Sequence, residues 1–381
     1  MINVNQSIGD ISLNTRLVEA TPLILLLCVV LAGCGGGSAS GGNVQPPPPG
    51  FTTIDAPGAG FVTFLGTNAQ DINAGGEIAG FFTDSNNNSH GFLRTSAGVL
   101  TVFDAPGAGT FDSQGTGSQA INASGDIVGT YVDGQFISHG YIRSHDGSFT
   151  TFDVPGAYST VPVSMNDAGV ITGQFLDTNN FAHGFVRAAD GTFSTFDVPG
   201  AVNSSFSGTI PSHLNAGGIV VGTFSDTSFV FHGFLRGVDG TLTTFDAPGA
   251  GAGLAEGTQA AGINANGAII GTIFAAGASH SFLRAADGTY TVFDPPGAGS
   301  KGSTATGINA GGSIVGLYTD SSLAVHGYLR APDGTFTSID DPKVPQSVDY
   351  LGTNPVHIND GGAIVGIFFD SLRARHGFVR Q

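Results

Sequence analysis

Tryptophan is absent from this sequence, and its only two cysteines, Cys28 and Cys34, stand close together near the start. Beyond Cys34 no thiol remains, so neither a disulfide nor a thiolate metal site can brace the rest of the chain. Charge is scarce as well: charged residues make up 11%, about half the usual share. What charge exists leans one way, 12 Lys and Arg against 29 Asp and Glu, for a formal net charge of −17. Such a chain lacks the basic footprint that nucleic acid requires, and an anionic lipid surface would repel it. No segment sustains an apolar period of 3.6, which removes the amphipathic helix as a building element. Nor is there a glycine-rich phosphate loop opening a helix, a Gly-x-Ser-x-Gly elbow, or a calcium loop with its closing Glu. The stretches Thr83 to Asn88 and Asp177 to Asn180 are rich in oxygen ligands but match that calcium loop only loosely. No cofactor and no metal is expected on these grounds.

Glycine fills the space these absences leave. It accounts for 61 of 381 residues, beside 40% hydrophobic residues and 29 Phe. This is not a disordered composition; it reads as many short strands joined by tight turns. The chain also repeats itself. An Asn recurs at Asn73, Asn122, Asn166, Asn215, Asn264, Asn309 and Asn359, 44 to 50 residues apart. A His recurs at His90, His139, His183, His232, His280, His326 and His376, each followed four residues on by an Arg, from Arg94 and Arg143 to Arg380. An Asp closes each unit, at Asp55, Asp104, Asp153, Asp197, Asp246, Asp294 and Asp340. A fixed period of this size marks one supersecondary unit written many times, and it overrides any domain count based on length.

The second unit serves as a template. Gln119 to Ile121 is expected as a short first strand, and Asn122-Ala123-Ser124-Gly125 as a tight turn in which Asn bonds its own backbone. Asp126 to Val132 is the second strand, His139 to Arg143 the third and Phe149 to Asp153 the fourth. Val154-Pro155-Gly156-Ala157 leads out through a turn. The His-to-Asp spacing is 14 wherever both follow in order, so the hairpin of third and fourth strands has fixed length. Asn-to-His is 17, except 16 from Asn264 to His280, whereas Asp-to-Asn varies from 13 to 19. The variable piece is the connection from one unit to the next, where binding loops are commonly found.

A four-stranded antiparallel unit of about 48 residues has the size of a propeller blade. The ends of the body favour a ring over a linear stack. It begins with a lone fourth strand, Phe51 to Asp55, and finishes on a third strand, His376 to Arg380. If the opening strand completes the last unit, seven whole blades result and two exposed sheet edges vanish. Polar capping repeats, which a solenoid requires, are missing from both ends. In such a ring the first strands line a central channel. The variable connections share one face with the loops between second and third strands, and that face is expected to be the recognition face.

Ahead of the repeats, Pro22 to Leu31 is an apolar run too short to span a bilayer but long enough for the core of a secretory signal, with Arg16 as its positive flank. It ends in Leu31-Ala32-Gly33-Cys34, which resembles the lipobox of bacterial lipoproteins. The resemblance implies cleavage before Cys34 and acylation of that residue, with several acyl chains giving stable anchoring. Gly35 in place of Asp implies the outer membrane rather than the inner. Residues 35 to 50, GGGSASGGNVQPPPPG, form a flexible tether stiffened by four prolines at its end.

Residues 51 to 381 resemble the HAF family of bacterial extracellular repeats, named for a His-Ala-Phe motif. Here Gly replaces Ala, as in His90-Gly91-Phe92 and His232-Gly233-Phe234, and one unit carries His280-Ser281-Phe282. The resemblance implies location and repeat type but no reaction.

Repetition also weighs on the candidate chemistry. A reaction needs one His in one place, whereas a scaffold needs the same bond in every unit. The pairs His90 with Asp104, His139 with Asp153, and His376 with Asp55 are therefore read as hydrogen bonds closing hairpins, the last of them bridging the two ends of the body. The repeated Arg is read as stacking on the first aromatic of the fourth strand, Arg143 on Phe149 for example. Function tends to break symmetry. Two residues before the repeated Asn the units carry Asp71, Ala120, Ser164, His213, Gly262, Gly307 and His357. Asp71 and His357 fall in neighbouring units, and His213 across the ring. These three could hold a metal, a substrate acid or a general base, or could be plain solvated channel residues. His145, in a turn on the opposite face from the variable loops, is read as simply exposed.

The expected protein is all-β: a seven-bladed β-propeller closed by an N-terminal outer strand pairing with the C-terminal blade. Residues 1–33 would be a lipoprotein signal peptide, 34–50 an acylated tether and 51–381 the propeller. The expected role is that of a monomeric binding or structural module, held to the membrane through Cys34, whose ligand is a protein or glycan and not nucleic acid. The alternative is a propeller-type lyase or glycan hydrolase with its site at the channel mouth, with Asp71, His213 and His357 as the catalytic candidates.

Overall fold

The computed structural model describes residues 50–202, 204, 207–344 and 351–381. The expected signal peptide, Cys34 and the tether through residue 49 lie outside them. The described residues contain 28 strands and no helix. Antiparallel pairing gathers the strands in fours. In the second unit Gly115–Ile121 pairs with Ile127–Val132, that strand with Ser138–Arg143, and the third with Phe149–Phe152. The opening strand Phe51–Ile54 pairs with Arg375–Arg380, Phe51 opposite Arg380 and Ile54 opposite Gly377.

The first strand starts four residues earlier than expected, at Gly115 rather than Gln119. The cause is the neighbouring unit. Gly115 pairs in parallel with Ser89 of the unit before it. Its φ is 110°, and a Cβ there would lie 2.0 Å from the Ser89 carbonyl oxygen. Only glycine tolerates both the dihedral and the approach. Bridges of this kind join neighbouring units, so hydrogen bonding runs in four sheets, of twelve, four, eight and four strands, rather than in separate blades.

In the second unit the second strand, Ile127–Val132, is buried from end to end. Gly129 at its middle faces the ring of Tyr141 on the third strand, and a Cβ at 129 would meet the Tyr141 hydroxyl at 2.6 Å. The corresponding aromatics Phe92, Phe185, Phe234, Phe282, Tyr328 and Phe378 are all fully buried. Each fills the notch its glycine leaves, and burial of one such side chain is worth about 1.5–3 kcal/mol.

The repeated His and Asp meet at the same end of each hairpin. Nδ1 lies 3.0 Å from the Asp104 carboxylate in His90, 2.9 Å from Asp153 in His139 and 2.7 Å from Asp55 in His376. The imidazole also stacks on an aromatic of the second strand, His90 on Phe82 at 5.0 Å and His376 on Phe368 at 4.9 Å. A second carboxylate approaches from the loop: Asp84 lies 3.8 Å from Nε2 of His90 and Asp370 lies 3.4 Å from that of His376. The same Asp84 and Asp177 accept backbone N–H groups of their own loops, which accounts for the oxygen-rich stretches. The fifth unit departs from this plan. Its loop is one residue shorter, Ile273 stands opposite His280 in place of the aromatic, and His280 holds Asp294 at 2.6 Å.

Arg143 stands opposite Phe149 of its own fourth strand, as read from the sequence, and in other units the Arg lies over that aromatic, Arg187 6.0 Å from Phe193 and Arg284 5.9 Å from Tyr290. The shorter stacking contacts cross between units. Arg143 lies over Phe103 of the preceding unit, 4.8 Å from the ring centroid, and Arg236 lies over Phe196 at 5.1 Å. The stem of the third-strand Arg reaches the neighbouring outer strand, so the guanidinium ties two units together. A further tie was not foreseen. Thr116 Oγ1 accepts the buried N–H of Ala105, and Thr67, Thr209 and Thr258 do the same for Ala56, Val198 and Ala247. In the sixth unit the donor position is Pro295, which has no N–H, and Ser303 there bonds Asp294 instead.

Two outcomes follow. Deleting residues 51–58 removes the partner of Arg375–Arg380 and lowers the melting temperature; an unchanged melt would mean that this pairing does not hold the body together. Burial opposes charge on His376, but the hydrogen bond to Asp55 and the Asp55 and Asp370 charges outweigh it, so its pKa is raised. A raised folded-state pKa stabilises fully below the unfolded value of about 6.5 and fades as pH rises through the folded value. The stability advantage of the wild type over His376→Gln is therefore largest near pH 5.5 and shrinks towards pH 9, as read by urea denaturation across that range.

Candidate functional site

The turn after each first strand is built by its Asn. Asn215 Oδ1 accepts the N–H of Ile219, four residues on, and its Nδ2 donates to the carbonyl of Asn264 in the next unit at 3.2 Å. The same link runs from Asn73 to Asn122, Asn166 to Asn215, Asn264 to Asn309, Asn309 to Asn359, and Asn359 back to Asn73. The turns therefore stand round a common axis. A cavity of about 320 Å³ opens among them, lined by first-strand and turn residues of all seven units.

Every first strand carries a bulge just before its Asn. The register shifts between Ala69 and Asp71, between Pro211 and His213, and between Pro355 and His357. A bulge re-aims a side chain. Here it serves the position two before the Asn, and nothing in the sequence pattern marked it. Asp71 uses the new direction to accept the N–H of Ile121 in the second unit at 2.9 Å and that of Ile72 at 2.8 Å. Ser164 accepts the N–H of Leu214 in the same way. The residue before it ties units as well: Ser212 Oγ donates to the Ala260 carbonyl and Thr306 Oγ1 to that of Pro355.

Asp71, His213 and His357 converge in this cavity. His357 Nδ1 forms a close ion-pair contact with Asp71 Oδ1. The His213 ring stands across the axis, its centroid 6.3 Å from that of His357 and the planes 41° apart. Nδ1 of His213 and Nδ1 of His357 are both buried without a hydrogen bond of good geometry, the latter held by its ion-pair contact with Asp71. Small residues at the equivalent positions Ala120, Ser164, Gly262 and Gly307 leave the axis open to these two rings.

The environments separate the protonation states. Burial, reinforced by the neighbouring His357, pushes the His213 pKa down to about 4. Burial also opposes charge on His357, but the Asp71 carboxylate outweighs it and raises the pKa. Burial would raise Asp71, yet His357 and the N–H groups of Ile121 and Ile72 hold it below the usual carboxylate range. Asp71 and His357 thus favour each other's charged forms, and they face a His213 imidazole that is uncharged at neutral pH. Two further carboxylates sit at the rim, Asp167 accepting the Ala123 N–H and Asp360 that of Ala310.

The other candidates lie elsewhere. The repeated His–Asp pairs occupy the outer hairpins, one per unit. His145 is exposed, its N–H bonded to Asp126. Among the described residues no three His, Cys, Asp or Glu side chains together form a ready metal-ligand set. The cavity opens at the Asn-turn end, opposite the variable connections, because the residues after each Asn are short: Ala74, Ala123, Asp167, Ala216, Ala265, Ala310 and Asp360. The variable loops carry exposed apolar side chains instead, among them Phe61 at 57% and Phe111 at 71% of full exposure.

No protein-family profile and no curated protein matches this sequence. Solved structures do. An oligogalacturonate lyase in complex with manganese aligns with a TM-score of 0.55 at 12% identity, over 88% of this chain and 97% of that one. TolB from Acinetobacter baumannii aligns at 0.43 and 11% identity, over 77% of this chain and 76% of its own. A prolyl endopeptidase aligns at 0.45 and 10% identity over 81% of this chain, which spans only 54% of that larger protein. The likeness is one of fold, to β-propeller proteins.

Replacing Asp71 by Ala leaves the Ile121 N–H and His357 without their partner and costs about 1–3 kcal/mol in chemical denaturation. Asp71→Asn keeps an acceptor for that N–H and costs less. In both variants the NMR titration midpoint of His357 falls; a midpoint that stays put would remove Asp71 as the cause of the raised pKa.

Proposed function

We propose that this protein is a closed seven-bladed β-propeller of the HAF repeat type, anchored to the outer membrane through acylated Cys34, that works as a binding module with its ligand at the axial cavity. One observation carries the ligand site: Asp71, His213 and His357 are the titratable side chains that break the repeat at the axis, and they converge there, while the repeated His and Asp are engaged in hairpin bonds. The pairing of Phe51–Ile54 with Arg375–Arg380 and the Asn359-to-Asn73 bond support ring closure. The rim carboxylates and the net charge of −17 disfavour polyanions and favour an uncharged glycan or a cationic group. Exposed Phe61 and Phe111 on the variable loops offer a second surface, suited to a protein partner.

A second reading, a lyase or glycan hydrolase at the same cavity, is favoured by the convergence itself, since a carboxylate and two imidazoles could serve as acid and base.

The test uses full-length protein in detergent against a panel of neutral oligosaccharides. We expect at least one class to be retained and its affinity to fall at least tenfold in His213→Phe. Binding that is absent, or indifferent to that change, overturns the cavity as ligand site; release of new sugar ends from a bound oligosaccharide selects the enzymatic reading. Anchoring is checked separately by metabolic labelling with a fatty acid, which Cys34→Ala should abolish together with membrane association.

A further inference from the structure

We infer that the axial cavity takes up one divalent transition-metal ion between the imidazoles of His213 and His357, an inference that rests on the cavity being a ligand site. The donor types select the ion. Imidazole nitrogen suits zinc, nickel, copper or cobalt, whereas calcium and magnesium call for shells of oxygen. The geometry fits. Set in line, two metal–nitrogen bonds of about 2.1 Å and the two ring radii span about 6.5 Å, whereas a tetrahedral angle at the metal would draw the centroids to about 5.3 Å, so a separation above about 6 Å suits the near-trans positions of nickel or copper rather than tetrahedral zinc. The centroids of His213 and His357 stand 6.3 Å apart across the axis.

Asp71 then has a positioning part. It engages Nδ1 of His357. This fixes the ring and leaves Nε2 as the free nitrogen, the carboxylate–histidine–metal arrangement in which the acid orients the ligand and strengthens it as a donor. Asp71 is itself held by the N–H groups of Ile121 and Ile72, so the orienting group is anchored to two units. On the other side His213 brings a buried Nδ1 without a well-formed hydrogen bond, a polar atom whose burial calls for a partner. Two imidazoles fill only two coordination positions. The others would fall to water or an incoming ligand, as in metal sites that act on or bind something else. Asp167 and Asp360 at the rim favour entry of a cation.

No other histidines are so disposed. The seven repeated ones sit in outer hairpins, six of them between two carboxylates and His280 against one, and His145 is on the surface. The geometry therefore assigns one ion per chain rather than seven.

The experiment takes full-length protein in detergent, stripped with chelator, and titrates it calorimetrically with zinc, nickel, cobalt and calcium chlorides; cobalt is also followed by its visible absorption. One equivalent of nickel, with zinc and cobalt held more weakly and no saturable calcium, is expected. His213→Phe and His357→Gln should each abolish the stoichiometric site while the circular dichroism spectrum is retained, and Asp71→Asn should weaken it by about 10–100-fold. His145→Gln should change nothing. Absence of a stoichiometric site, or one that survives His213→Phe, overturns the inference. Oligosaccharide binding that depends on His213 but needs no metal would sink this inference and leave the ligand-site reading standing. A metal site without oligosaccharide binding would do the reverse.

Discussion

One side-chain amide, repeated, holds the units in place. Each turn Asn closes its own turn through Oδ1, and most pass Nδ2 to the carbonyl of the Asn in the next unit. These amides are buried, so the bonds form away from competing water. Asn122 turns its amide to Asp126, and at that joint Asp167 takes the neighbouring Ala123 N–H. Because each bond joins the ends of two first strands, it sets their spacing, and with it the width of the cavity. Asp would lack the donor and Gln would be one carbon too long, so a single residue type recurs.

Much of this was legible in the sequence, and for a physical reason. A scaffold bond that recurs in every unit leaves a period, and the constant 14-residue spacing fixed the His–Asp contact because a hairpin of set length returns to its start. The lone strand at Phe51 was legible because an unpaired edge is costly, and its partner strand Arg375–Arg380 was the one left short. What the sequence hid were contacts between units. The first strand reached back to Gly115, where it pairs with Ser89 of the unit before. Arg143 stacked on Phe103 rather than on its own hairpin, and the bulges left no periodic signature. The tying threonines do recur, six residues before each Asn with Ser303 in the sixth unit, but a strand Thr does not announce which distant N–H it accepts. The site was half legible. That Asp71, His213 and His357 broke the pattern could be read directly; that the bulges would aim His213 and His357 at one another could not.

Departures from the repeat are matched locally. Where Pro295 removes a donor, the acceptor across from it is Ser303, which finds Asp294. Where the fifth unit loses its aromatic and its loop carboxylate, His280 draws closer to the carboxylate that remains. The units are thus interchangeable in their backbone course while their side-chain bonds are adjusted one by one.

The three residues at the axis come from the first, fourth and seventh units. Arrays of this kind drift readily in copy number, since duplicating or losing one module costs little when all modules are alike. Here that freedom is curtailed. Inserting a module between the first and fourth or the fourth and seventh units would turn His213 away from His357, and one placed between the first and second would also part Asp71 from the amide that steadies it. The count of modules, neutral for the scaffold, is fixed by a feature that occupies only three of them.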